Sequence, residues 1–505
     1  MQFVKKMTIH AWQGYRTYAW GHDDLAPVRK KPVDWYRNQT LLNTAVDSLD
    51  TLYLLGLEDE YQEAKKLVLA LDFSKITERV SVFETTIRVV GGLLGAYDLE
   101  GDPKLIGKCV ELVDRLMPAF DTANGLPLNF MNLSSGVSYD HTGGFTGVSL
   151  AAAGTLQLEF QYLSDVTGEP RYQEAAIYVY DQMQAMDTFI PGLFPDWLNT
   201  ETFAVPEQSF QIGGGADSYY EYLLKVWLST GERKFLKMYR AASNAILNHM
   251  VKKSSAGPYT YIPVTDMTKD SLGIYKSNYR SEFGHLHCFA GGMFALGAKA
   301  YSKGNWKKLY RLGADLTDTC WTMYNSTATG LSPESVDGET LTVRGSAYKL
   351  RPEVVESLFY MWRFTHDPVY RERGWSIAQA IETHCRVEGG YRGLKDVRQV
   401  ESPPWDRQES FFIAETLKYL YLLFADDDVI PLEKYVFNTE AHPLSVRGHG
   451  RRSDPEKFVP LPTSYKVPVG TMGRVSPELG LKRKLELANG NFGGQLMGVE
   501  AMEGR

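Results

Sequence analysis

What most constrains this chain is a phrase it repeats. "GGLLGAYDLEGDPKL" (91–105), "LEFQYLSDVTGEPRY" (158–172), "YEYLLKVWLSTGERKF" (220–235) and "ESLFYMWRFTHDPVY" (356–370) each run as an apolar helical stretch, break at Gly or a short polar turn, and resume with an acid that opens the next helix. Glycine suits the left-handed position that ends a helix, and an acid in the first turn meets the positive end of the helix dipole. Each phrase therefore reads as an αα-hairpin. "DSLDTLYLLGLEDEYQEA" (47–64) and the stretch 285–323 supply two more, and "ESFFIAETLKYLYLLF" (409–424) is a last apolar helix able to pair with one near residues 1–20. Such hairpins cannot each bury an apolar face alone, and their recurrence over roughly 430 residues predicts one closed α/α toroid rather than several domains.

In a toroid the inner helices carry the small and apolar residues, and one open end is left as a pocket. The segments 121–146, 253–284 and 386–406, rich in Gly, Pro, Ser and Thr with short β-like alternation, are placed to wall it. From residue 445 the helical rhythm is lost and Pro and basic residues accumulate, so 445–505 reads as a loosely ordered appendage to a barrel of residues 1–444.

Composition excludes several classes. A net charge of -7 over 505 residues, with no concentrated Lys/Arg stripe, gives no footprint for nucleic acid. No apolar run approaches the length of about 18 residues that suggests a membrane span, and the start, "MQFVKKMTIHAWQGYR", has basic residues without the apolar core of a targeting segment. Cys109, Cys288, Cys320 and Cys385 lack zinc-site spacing and are too few for a disulfide scaffold, which leaves room for one disulfide. Asn38, Asn132 and Asn325 begin N-x-[ST] sequons, weak support for a secreted or lumenal chain.

The informative residues are acids. Glu84 in "VSVFETTIRVVGG", Glu353 and Glu356 in "LRPEVVESLF", Glu415 in "SFFIAETLKYL" and Asp217 behind the glycines of "GGGADSYYEYLLK" stand among apolar neighbours, where a carboxylate is costly unless paired or used. Singly, each has a structural reading: Glu84 and Arg88 are four residues apart and suit an ion pair, and Pro352 with Glu353 suits a helix start. As a set, Glu84, Asp217, Glu353 and Glu409 lie near the starts of successive apolar helices and would converge at one end of a toroid. Convergent carboxylates without a cysteine or serine nucleophile motif point to glycoside hydrolysis or a hard-cation site.

"FETTIR", "GGGADSYYEYLLK", "LRPEVVESLFY", "ESFFIAETLKYLYLLF" and "YVFNTEAHPL" together resemble the class I α-1,2-mannosidases, glycoside hydrolase family 47, from about residue 8 to 444. The resemblance implies an all-α, (αα)7 barrel, in agreement with the hairpin count, and an inverting, calcium-dependent exo-enzyme that trims α-1,2-linked mannose from high-mannose N-glycans or glycoproteins. It implies that Glu84 is the general acid, Glu353 the base and Asp217 a rival for that role. Inversion requires acid and base about 6.5–9.5 Å apart, with a water between them. It further implies that Thr439 binds Ca²⁺ directly, that Glu356, Glu415 and Glu440 hold waters around the ion, and that Phe411 stacks on the terminal sugar. Arg88 and Arg351 would orient the acids, His285 would belong to the sugar pocket, and Cys288 and Cys320 would form a disulfide. A monomer in the secretory pathway, in the endoplasmic reticulum or Golgi lumen, or secreted, is expected.

Three positions depart from the pattern. Gly215 stands where members confined to the endoplasmic reticulum carry an arginine, Ala152 where many members carry a glutamate, and Gly284 where an aspartate precedes the pocket histidine. The glycine run is expected to let a branched glycan lie against backbone beside Asp217, and the missing arginine to permit removal of several mannoses, as in the Golgi and secreted fungal members. The alternatives are a lectin-like quality-control factor of the same fold with little turnover, against which the intact acids argue, and a diphosphate enzyme, for which "ADDDV" (425–429) reads better as a solvated turn.

Overall fold

Helix and turn alternate as the repeated phrase requires. The computed structural model describes residues 1–140, 147–186, 188–200, 208–269 and 275–446, so the appendage expected over 445–505 lies, from 447 onward, outside the described residues. Helical segments form α1 (Gln2–Tyr18), α2 (43–54, broken at Ser48), α3 (Glu58–Leu69), α4 (82–100), α5 (Pro103–Leu116), α6 (150–167, broken at Thr155 and Leu156), α7 (Arg171–Gln184), α8 (Asp217–Thr230), α9 (233–250), α10 (285–300), α11 (Trp306–Asn325), α12 (Glu353–Thr365), α13 (Pro368–His384) and α14 (412–424).

The even-numbered helices are inner and the odd-numbered outer. Along α8, α10 and α12 nearly every residue is buried, whereas α5 buries one face through Leu105, Cys109, Leu112, Val113 and Leu116. A helix apolar all round belongs inside, and an amphipathic one belongs at the wall. Each inner helix packs on the next, α14 returns to α2, and α1 lies against α14, which closes the α/α barrel. Tight turns lead from inner to outer helix at Gly101, Gly168 and Gly231, all left-handed, and at His366 with φ 52°.

Loops from outer to inner helix are longer and carry short antiparallel sheets. One aligns Arg79–Ser81 with Phe130–Asn132 and Ser138–Tyr139, another Gln208–Phe210 with Val264–Lys269 and Tyr275–Arg280, and a third Glu282–Gly284 with Ser335–Asp337 and Val343–Gly345. These strands lead straight into α4 and α10 and fix where those helices begin. Cys288 and Cys320 form the disulfide that ties α10 to α11, with Cα atoms 5.9 Å apart, and Cys109 and Cys385 are buried thiols.

The hairpin Tyr435–Phe437/Pro443–Ser445 pushes its turn, residues 438–442, into the middle of the ring. Asn438 and His442 are fully buried there. Gly91 of α4 makes room for this turn, since a Cβ there would lie 2.5 Å from Asn438 Nδ2 and 2.8 Å from His442 Cδ2, while a Cβ on Gly92 would meet the Val46 carbonyl of α2 at 2.7 Å.

Candidate active site

The inner helices begin at one end of the barrel, and the expected acids stand at or near those beginnings. Ser81 caps α4 by accepting a hydrogen bond from the Glu84 amide at 3.2 Å. Residues 85–90 then widen into a π-helical turn, as do 412–417 in α14, and these two turns carry Arg88 and Glu415. π-Turns inside helices frequently mark functional positions. Glu84 keeps 31% of its side chain exposed while accepting from Arg88 Nε at 2.9 Å. Arg88 also pairs with Glu440, lies 3.4 Å from Asp47 and 3.3 Å from Ser410, and faces the rings of Trp35 and Phe411 at 5.3 and 5.9 Å. The ion pair and the site role are thus one arrangement, because the arginine that partners Glu84 is anchored to the turn at the centre of the ring.

Glu353 is buried at the first turn of α12. Burial alone would raise its carboxyl, but His285 and Arg351 outweigh it and hold it below the ordinary range. His285 contacts the carboxyl through Nδ1, and its Nε2 meets the Tyr324 hydroxyl at 2.8 Å. With 1% exposure and both nitrogens engaged, His285 positions Glu353 from behind; it does not line open space as a sugar-pocket residue would. Arg351 is 3.9 Å from Glu353 and is itself fixed by two-pronged contact with Glu334 at 2.8–3.0 Å.

Asp217 is half-buried at the start of α8. Desolvation pushes its carboxyl up to about 7; the Ser218 amide, 2.9 Å away, pulls the other way, and the charges of Glu221 and Glu353 add to the rise. The glycines before it serve three different ends. A Cβ on Gly213 would strike the His287 ring at 2.2 Å, and one on Gly214 would touch Leu286 at 3.0 Å. Gly215 has φ 96° and nothing within 4 Å of its Cβ position. Gly213 is therefore dictated by protein packing and not by a bound glycan, whereas Gly215 faces open space from a backbone only glycine adopts freely.

Deeper in the ring, Glu356, Glu415 and Glu440 are all pushed well above the usual carboxylate range, first by burial and then by one another and by Glu221, Glu353 and Asp47. Lys225 pairs with Glu221, and Arg88 with Glu440, but acids outnumber bases. Thr439 sits beside them, its hydroxyl donating to Glu221 at 2.8 Å. Among the described residues no group of three His, Cys, Asp or Glu side chains stands as a direct metal cage. Glu409, the fourth acid of the convergent set, pairs with Arg407 at 2.8 Å at the rim and is pushed up to about 7 by burial and by Asp24, against the pull of Arg407, Arg88 and Arg351.

Three participants escaped the sequence reading. Glu221 stands four residues after Asp217 and four before Lys225, a spacing that was there to be read. Asp47 lies in the apolar stretch "NTAVDSLDTL", also a legible signal. Glu334, in the loop that precedes Arg351, left none.

Comparison with known proteins bears on the family and the fold. The family model described as glycosyl hydrolase family 47 matches residues 7–446. The chain is 45% identical over 456 residues to human mannosyl-oligosaccharide 1,2-alpha-mannosidase IB, covering 88% of this chain and 69% of the relative. It is 44% identical to mannosyl-oligosaccharide 1,2-alpha-mannosidase MNS1 of Arabidopsis thaliana, covering 90% and 80%. The solved alpha-1,2-mannosidase from Trichoderma reesei superposes with a TM-score of 0.79 at 30% identity, covering 88% of this chain and 98% of that one.

Proposed function

Since the chain belongs to glycosyl hydrolase family 47 and is a glycoside hydrolase, we propose that it trims terminal α-1,2-linked mannose from high-mannose N-glycans with inversion, dependent on Ca²⁺. The observation that carries this reading is the different treatment of two carboxyls. Glu353 is buried yet kept ionised by His285 and Arg351, while Glu84 stays partly exposed at the opening with Arg88 beside it. A base must be charged and an acid must reach the leaving oxygen. In this mechanism Glu353 takes the proton of an attacking water and Glu84 delivers one, directly or through water, to the glycosidic oxygen as the bond breaks. Asp217, pushed up to about 7 by burial, is the rival for the role of base, and with Glu353 as base it serves to hold water or a sugar hydroxyl.

The residues present suit a hard cation. Glu356, Glu415 and Glu440 are buried in excess of positive charge, and Thr439 brings a hydroxyl to their edge. Such a donor set favours an ion that keeps waters and takes oxygen ligands, as Ca²⁺ does. When bound, calcium would supply the charge that keeps these carboxyls ionised and oxygen coordination for sugar hydroxyls.

At the start of α4 a cavity of about 200 Å³ is lined by Phe83, Asn129, Phe130, Ala152 and Trp197 among others. Its aromatic walls suit the sugar left behind after cleavage, and the space beyond Gly215 suits more than one branch, which supports removal of several mannoses. All these groups come from one chain, so a monomer suffices. The disulfide fits the oxidising lumen of the secretory pathway or secretion. No helix of the described residues is long and apolar enough to cross a membrane.

The test is digestion of a Man9 glycan with and without chelator, followed by mass spectrometry. Man8 through Man5 products in calcium and none in excess chelator are expected. Binding without turnover would point instead to a lectin-like recognition factor.

A further inference from the structure

One buried carboxyl has no part in the chemistry proposed above. Glu159, on α6, is fully buried, and its Oε2 has no hydrogen-bond partner. Its Oε1 accepts two hydrogen bonds, from the Tyr222 hydroxyl at 2.5 Å and from Asn438 Nδ2 at 2.8 Å. A carboxyl at the core of a barrel with one oxygen left unpartnered is costly, so its presence calls for a use.

Both donors lead to the same turn. The Tyr222 oxygen that donates to Glu159 accepts from the Thr439 amide at 3.3 Å. The Asn438 amide, pointed by Glu159 and by the Ile87 carbonyl at 2.9 Å, turns its Oδ1 inward to accept from the Glu440 amide at 2.9 Å and the His442 amide at 2.8 Å. Those contacts add to the turn's own backbone bonds, from the Ala441 amide to the Asn438 carbonyl at 3.2 Å and from the Asn438 amide to the His442 carbonyl at 2.9 Å, and they oppose the strain of Ala441, whose φ of 61° is a left-handed conformation unfavourable for a residue with a side chain. Glu159 thus sits one hydrogen bond behind each of two groups that shape residues 438–442, and Thr439 and Glu440 are in that turn.

We propose that Glu159 is a positioning residue for the metal turn: through Tyr222 and Asn438 it sets where Thr439 presents its oxygens, and so tunes calcium affinity without touching ion or sugar. The proposal rests on the calcium reading above. Its working part is the Oε1 acceptor, which Glu159→Gln retains and Glu159→Leu removes. Tyr222→Phe removes one of the two links while leaving the ring in place.

The experiment is calorimetric titration of Ca²⁺ into the chelator-stripped full chain, with the melting temperature of the metal-free form measured alongside. Loss of a group orienting a metal ligand typically weakens affinity by about tenfold to a hundredfold. We expect Glu159→Leu to fall in that range, Tyr222→Phe to weaken binding in the same direction by about tenfold, and Glu159→Gln to stay close to the unsubstituted chain. A purely structural role predicts a lower metal-free melting temperature for Glu159→Leu with unchanged affinity, and that result overturns the proposal. So does a glutamine variant as weak as the leucine one. Should Glu159→Leu fail to fold, Tyr222→Phe decides: unchanged affinity overturns the proposal and weaker affinity supports it. Failure of the unsubstituted chain to bind Ca²⁺ would instead remove the calcium reading itself.

Discussion

The Thr439 hydroxyl donates to the Glu221 carboxylate across 2.8 Å, joining the turn at the centre of the ring to the first turns of α8. Glu221 also pairs with Lys225, so a residue unnoticed in the sequence stands between the expected ion ligand and a buried base. Glu221→Ala is expected to weaken Ca²⁺ binding about tenfold or more, in line with other groups that orient metal ligands. Melting of the chain over a calcium series checks this, since an ion bound only by the folded form raises stability by mass action. Equal calcium-dependent shifts in variant and parent would contradict it.

Glu84→Gln and Glu353→Gln should each lower kcat by about 10² to 10⁴, the usual worth of a general acid or base, with KM changed far less. Asp217→Asn is the discriminating companion. Should Glu353→Gln remain near the parent while Asp217→Asn is inactive, the base is Asp217.

The pH profile separates the same two acids without mutation. Burial alone would raise Glu353, but His285 and Arg351 hold it below the ordinary glutamate value of 4.5, and a base acts only when ionised. With Glu353 as base, activity on the acidic side should persist as pH falls and be lost only as that carboxyl takes up its proton below 4.5. Asp217, at about 7, would instead impose a loss centred near neutrality. The check is kcat/KM against pH at saturating Ca²⁺.

Gly91→Ala tests the central turn. The added Cβ would lie 2.5 Å from Asn438 Nδ2 and 2.8 Å from His442, both fixed in the core. Overpacking of this kind costs about 1–3 kcal/mol, so the variant should melt earlier and bind Ca²⁺ more weakly. Gly107→Ala is the control: that glycine meets nothing within 4 Å and lies on an outer helix, so its replacement should not lower the melting temperature.

The barrel was legible because its cause is local. The hairpin phrase carries its own turn chemistry, and the closing pair of α1 with α14 follows from apolar patterning at both ends of the chain. Acids in apolar helices were legible for the same reason: Glu84, Glu353, Glu356 and Glu415 stand out from their neighbours. What periodicity cannot reveal is which side chains a loop brings together. Glu334 reaches Arg351 only because a strand of its loop pairs with Glu282–Gly284, the strand that starts α10. His285, expected in the sugar pocket, shows the same limit, since nothing in the sequence signals that Glu353 and Tyr324 would engage its two ring nitrogens. Gly213 is a third case: its lack of a side chain answers to the His287 ring, a neighbour with no sequence signature.

The central claim is a direct displacement by water with Glu84 as acid and Glu353 as base, and proton NMR of the first mannose released from a Man9 glycan, in saturating Ca²⁺ and recorded before mutarotation, tests it most directly. Inversion of an α-linkage must yield β-mannose first, with the α anomer growing in only later. Release of α-mannose at the outset would mean retention through a covalent intermediate, and would contradict the account.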